Sequence, residues 1–255
     1  MTRPRSARPE SSVERYFLRQ PLQLATLPSA ALLPSATVEL DGPEAHHLLH
    51  VLRAKVGDHL GLFNGNGDEA LAEIVNIRKR SAELQILESW SVPPEPNTLT
   101  IATAMPKGDR ARWLIEKSTE LGVTRVIPLR TQRSIVEPGE SKMDKLEQAV
   151  ITACKQCGRS HLMQINSLTP FANLLRELPP VTLIAHPSVP QSVSQAFDQS
   201  GQQSALMLIG PEGGFTDEEF AAAVTAGAIP VQLGPHILRI ETAAIAVAAA
   251  WRLKM

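Results

Sequence analysis

The spacing of apolar and polar positions changes character partway along this chain. Before residue 92 it is mostly that of β structure. Apolar residues alternate with polar ones, or β-branched residues cluster, over 58–63, 69–76 and 81–87. Between the first two lies Asn64-Gly65-Asn66-Gly67, a turn signal, because Asn and Gly accept the positive φ that tight hairpins need. Residues 44–52 read instead as one helix, carrying His46, His47 and His50. The expectation for 15–91 is a small β-rich domain, a barrel with one helix. Three prolines in four positions then stiffen Val92-Pro93-Pro94-Glu95-Pro96-Asn97, so 92–98 reads as an extended linker.

From residue 99 to 255 short apolar runs alternate with amphipathic stretches. Strands are predicted over 99–104, 126–129, 181–185, 206–209 and 228–233, and helices over 110–121, 142–156 and 241–252. Gly122 is placed to close the first of these helices. Thr216 with Glu219 three residues on forms a capping box that opens another. Such alternation predicts an α/β fold, a parallel sheet with helices on both faces. The Ala-rich run 242–251 is too short to span a membrane and reads as a closely packed helix.

Composition and charge narrow this picture. The chain has 255 residues, 43% of them hydrophobic, and no run of eighteen apolar residues, so a membrane span is not expected. Residues 1–14 hold Arg3, Arg5 and Arg8 without an apolar core, which fits a disordered extension and not a secretory signal. Two cysteines in the whole chain argue against a disulfide scaffold and for a reducing, cytoplasmic location. Net charge is −1, but residues 1–160 carry +2 and the rest −3. Contact with nucleic acid is therefore expected through local basic patches on the first part, not a global field.

Two segments carry candidate chemistry. In Leu208-Ile209-Gly210-Pro211-Glu212-Gly213-Gly214-Phe215 an apolar strand ends in a glycine-rich turn, and ligands of open α/β sheets sit at the carboxyl ends of strands. No Gly-Lys-Ser/Thr follows, and the Gly-x-Gly-x-x-Gly spacing is absent, so neither nucleotide fingerprint applies. The second segment is Leu233-Gly234-Pro235-His236-Ile237-Leu238-Arg239-Ile240-Glu241-Thr242. Arg239 and Glu241 are the only charges between Phe220 and Arg252. Charges in so apolar a setting are costly unless paired or functional. They form either a mutual salt bridge anchoring a helix or a reactive pair. Cys154-x-x-Cys157 lacks the second ligand pair of structural zinc, and no metal is expected.

Taken together, the two segments resemble the ribosomal RNA small subunit methyltransferase E family, uridine-N3 methyltransferases of the SPOUT class. The resemblance extends to 105–110, 116–122 and 153–159, and in the first part to Arg15-Tyr16-Phe17 and 47–53. Two positions depart from the family pattern, His236 in place of Arg and Ile240 in place of Thr. The resemblance implies a knotted SPOUT-type domain at 99–255 and a PUA-like RNA-binding domain at 15–91. Topology rules alone argue against a knot. The resemblance further implies a homodimer acting on 16S ribosomal RNA or the small subunit. It implies S-adenosyl-L-methionine bound by main-chain groups of Leu208, Ile209, Gly210, Pro211, Glu212 and Gly213, and of Leu233, Gly234, His236, Ile237 and Leu238. Arg239 and Glu241 are the catalytic candidates; Arg53, Lys107, Arg110, Gln156 and Arg159 are the candidate RNA contacts. Methylation of a transfer RNA, or RNA binding without catalysis, are the alternatives.

Overall fold

The computed structural model describes residues 13–22, 37–135, 139–201 and 204–254. The expected disordered extension lies outside them apart from residues 13 and 14. The chain divides into two units, 1–94 with 154–161, and 95–153 with 162–255.

Unit 1 is built on a five-stranded sheet in the order β1-β3-β4-β5-β2, with β1 Arg15–Phe17, β2 Thr37–Leu40, β3 His59–Phe63, β4 Asp68–Ile77 and β5 Ala82–Ser91. β1 runs parallel to β3 and the other pairings are antiparallel. Register shifts at Leu71/Ala72 and Ile74/Asn76 bend the β4–β5 pair, as bulges do, into a half-barrel. Alternate residues Ala70, Ala72 and Ile74 of β4 face a core shared with Leu60, Leu62, Leu84, Tyr16 and Leu48. The expected single helix is two pieces: α1 Gly42–His46, then a π-helical turn His47–Val51, with the rings of His46 and His50 tilted against each other at 4.8 Å between centroids. Arg53 follows with φ 54, an uncommon left-handed conformation for a non-glycine residue.

Tyr16 is buried, and its hydroxyl has no hydrogen-bond partner among the described residues. Burial, aided by Glu14 and Glu44, pushes its pKa up from 10.0 to about 12. The folded value exceeds the unfolded one, so stability is unaffected below pH 10. The contribution of this group is then lost progressively as pH rises toward the folded value. The chain has one tyrosine, so phenolate absorbance reads this group alone. The expected result is a midpoint near pH 12 in folded protein and near 10 in denaturant; equal midpoints would rule out a phenol shielded by the fold.

Unit 2 is an α/β layer structure. Its strands β6 Leu99–Thr103, β7 Arg125–Arg130, β8 Gln164–Ile165, β9 Thr169–Pro170, β10 Thr182–Ala185, β11 Ala205–Ile209 and β12 Ile229–Val231 are all parallel. The order is β12-β10-β11-β6-β7-β8, with β9 on β7. Its helices are α2 Asp109–Glu120, α3 Glu140–Cys157, α4 Phe171–Leu174, α5 Val193–Gln199, α6 Asp217–Thr225 and α7 Ile240–Arg252. The end of α3, from Cys154, counts with unit 1.

One face of the sheet, with Leu206, Leu208, Ala102 and Ile184, packs on Phe171 of α4 and Ala223 of α6. On the other face α7 packs on β6, β11, α2 and α5. Its buried residues Ile240, Ala243, Ala244, Val247, Ala248 and Trp251 follow a helical period, and the small ones let it approach the sheet closely. Helices therefore cover both faces, as the alternation predicts. Gly122 closes α2 with φ 83, and the Thr216–Glu219 capping box is formed with both reciprocal hydrogen bonds.

Candidate active site

Strand order decides where a ligand can enter unit 2. From β6 the chain first builds outward through β7, then returns to place β11 on the other side of β6. The connections after these two neighbours leave toward opposite faces, α2 toward α7 and α6 toward α4. This is a topological switch point, and the crevice outside the strand ends there is the default ligand position. The two loops lie side by side, with the Ala104 amide donating to the Ile209 carbonyl at 3.3 Å. β12 lies two strands from β11, so the predicted loops emerge roughly 10 Å apart at ordinary strand spacing, a separation matched to a nucleoside.

The loop after β11 is tightly built. A Cβ on Gly210 would come within 3.0 Å of the Phe215 amide nitrogen, so only glycine fits that turn without displacing backbone. Leu208, Ile209 and Pro211 are buried; Glu212 and Gly213 are exposed at the rim. The segment after β12 turns at Gly234, whose φ of 135 favours glycine. Leu233 and Leu238 are partly buried, His236 is exposed, and Ile237 is 88% exposed.

Arg239 is the N-cap residue of α7. It is exposed and has no ion pair among the described residues. The mutual salt bridge with Glu241 is not formed. Glu241 instead faces Arg110, with Oε1 3.7 Å from Nη1, beyond hydrogen-bond reach. Its side chain is 7% exposed, and Oε2 is buried with no partner among the described residues. Buried carboxylate oxygens are normally satisfied, so this one is open to a donor from water or a ligand. Arg110 also reaches Glu212 Oε1 at 3.4 Å, and so connects the loop after β11 with the first turn of α7.

Lys107 is exposed on the loop before α2. Gln156, exposed, and Arg159, half-buried, fall in unit 1, as does exposed Arg53. Unit 2 thus carries the two loops, Lys107, Arg110, Arg239 and Glu241, and brings Arg110 together with Glu212 and Glu241. Sequence reasoning missed Arg133, whose Nη1 donates to the Gly213 carbonyl at 2.7 Å and braces the glycine loop from the connection after β7. The adjacent Gln132 amide donates to Glu219 Oε1 at 2.8 Å. The position of Arg133 just past a predicted strand end was the one available signal. Among the described residues no group of three His, Cys, Asp or Glu side chains has metal-binding geometry, and no helix is long and apolar enough to cross a membrane.

A family model for an RNA methyltransferase domain matches residues 93–252, and one for an RNA methyltransferase PUA domain matches residues 40–87. The chain is 33% identical, over 82% of its length and 70% of the relative's, to the ribosomal RNA small subunit methyltransferase E of Synechocystis sp.. A methyltransferase from Legionella pneumophila, solved with SAM bound, superposes with a TM-score of 0.82 at 32% identity, covering 95% of this chain and 98% of that one. Ribosomal RNA small subunit methyltransferase E from Neisseria gonorrhoeae, bound to S-adenosyl methionine, gives 0.82 at 30% identity with the same coverage. The SPOUT-type architecture with a PUA domain is the one the two segments implied. On matches that span both units, the chain belongs to the ribosomal RNA small subunit methyltransferase E family.

Proposed function

We propose that this protein uses S-adenosyl-L-methionine to methylate N3 of a uridine in 16S ribosomal RNA, acting in the cytoplasm as a homodimer on that RNA or on the small subunit. The observation that carries the chemical assignment is the buried Oε2 of Glu241, which has no partner among the described residues. N3 of uracil is an imide nitrogen, weakly nucleophilic until it gives up its proton, so a carboxylate oxygen free to take that proton meets the main requirement. Bound in the crevice, the cofactor would supply a sulfonium methyl open to in-line displacement, which needs no metal.

The chain's own residues do the rest. Main-chain groups of 208–213 and of Leu233, Gly234, His236, Ile237 and Leu238 hold the cofactor, and at Gly234 the side a Cβ would occupy is open to its approach. Glu241 takes the N3 proton as the N–C bond forms and the C–S bond breaks. Arg239, unpaired among the described residues, faces the negative charge that develops on O2 or O4. Much of the rate gain comes from holding N3 and the methyl carbon in line. Arg53, Lys107, Gln156 and Arg159 grip RNA. The segment after β12 closes the knot typical of the class.

Mass spectrometry of small-subunit RNA from cells lacking the protein tests this reading. Loss of a single 3-methyluridine, restored by the wild-type gene, is the expected result. Persistence of that nucleoside, with loss of a modification elsewhere, would redirect the assignment to another base or another RNA.

A further inference from the structure

Arg110 matches the family motif at 105–110, and its charge suggested a phosphate contact. Its surroundings say otherwise. One guanidinium nitrogen lies 3.4 Å from Glu212 Oε1 and the other 3.7 Å from Glu241 Oε1, so both arms of the fork face carboxylates of unit 2. Its side chain is 37% exposed, against 7% for Glu241. The residue sits in the first turn of α2, just past the switch-point loop, and reaches across to α7 and to the loop after β11.

We propose that Arg110 is a positioning residue. It ties Glu212 to Glu241 and engages Oε1 of Glu241, which leaves Oε2 as the oxygen that meets the substrate imide. This rests on the reading of Glu241 as the proton acceptor. Two consequences follow from the geometry. The glycine loop and the first turn of α7 are held in register by one side chain, so loss of Arg110 disturbs the reaction and not RNA capture. A lysine, with a single compact ammonium, cannot span two carboxylates as a planar fork does.

The test uses the full-length protein as wild type, Arg110→Gln, Arg110→Lys, Glu241→Gln and the double variant Arg110→Gln/Glu241→Gln, each checked for folding by thermal melting. Affinity for a 16S RNA transcript is measured over a salt series, and methyl transfer is measured under single-turnover conditions with cofactor and RNA saturating. Arg110→Gln is expected to slow the saturated step by about a hundredfold, the effect of small misplacement of a reacting group. RNA affinity and its salt slope should stay at wild-type values. Arg110→Lys should recover a fraction of the rate, and the double variant should be no slower than Glu241→Gln alone.

A salt slope reduced by about one, with the saturated rate retained, would make Arg110 a phosphate contact and overturn the proposal. So would rate losses that multiply in the double variant, since the two residues would then act independently. If the wild-type protein itself transfers no methyl to this RNA, the proposed function fails. The salt slope of Arg110→Gln still decides between strut and phosphate contact.

Discussion

Glu241→Gln should lower the saturated rate of methyl transfer by about 10²–10⁴-fold, the range that positioned proton acceptors contribute. Cofactor and RNA affinities should change by only a few fold. Gln keeps the shape and length of Glu, so packing of the α7 first turn among Ile240, Ala243 and Ala244 is preserved. Arg110 loses one ion-pair partner but keeps Glu212 and partial solvent exposure, so little stability is at stake in that pair. What disappears is an oxygen able to accept a proton. The residual rate should therefore rise steadily with pH, because hydroxide in solution then competes to deprotonate the imide. Near-wild-type turnover in Glu241→Gln would sink the assignment and leave proton removal to solvent, with Arg239 as the main stabiliser of the anion.

How much of this was legible in the sequence follows from the range of the forces involved. The strands β3, β6, β7, β10 and β11 and the helices α2, α3 and α7 sit where hydrophobic spacing placed them, within the few residues by which ends fray. Caps and turns were legible too, because the capping box at Thr216 and the glycine closing α2 are local chemistry. The short strands β1, β2, β8 and β9 were not. None of them stands in an apolar run like the one that marks β10, which is no longer than β2. One extra residue in the turn after α1 converts helix to π-helix without altering the apolar count, so 44–52 read as a single helix. At the site, residue types pointed to Arg239 and Glu241, but the pairing of Glu241 with Arg110 joins elements far apart in the chain. Arg133 is likewise recognised only by the Gly213 carbonyl it touches.

Glu69→Ala is expected to cause the largest loss of stability in the molecule. Glu69 lies on β4, on the face opposite the apolar core, and is 3% exposed. Its Oε1 accepts from Arg15 Nη2 at 2.6 Å and from Ser160 Oγ at 2.6 Å, while Oε2 accepts from Trp90 Nε1 at 2.9 Å. Arg15 in turn donates to the Cys154 carbonyl at 3.0 Å, and the Gly67 amide donates to the Ser160 carbonyl at 3.2 Å. One carboxylate thus gathers β1, β5 and residues 154–161 into unit 1. Removing one side of a buried ion pair costs about 3–5 kcal/mol, because the groups left behind have been taken out of water and lose their acceptor. For a unit of about 100 residues that is a fall in melting temperature of roughly 12–40 °C. Glu69→Gln, which keeps an acceptor oxygen but not the charge, should lose less. The same change should weaken RNA binding, because Gln156 and Arg159 sit on the segment that Glu69 secures, while calorimetric affinity for S-adenosylmethionine stays unchanged because its loops lie in unit 2. Melting within about 2 °C of wild type, less than 1 kcal/mol would produce in a unit this size, would show that this network holds nothing together.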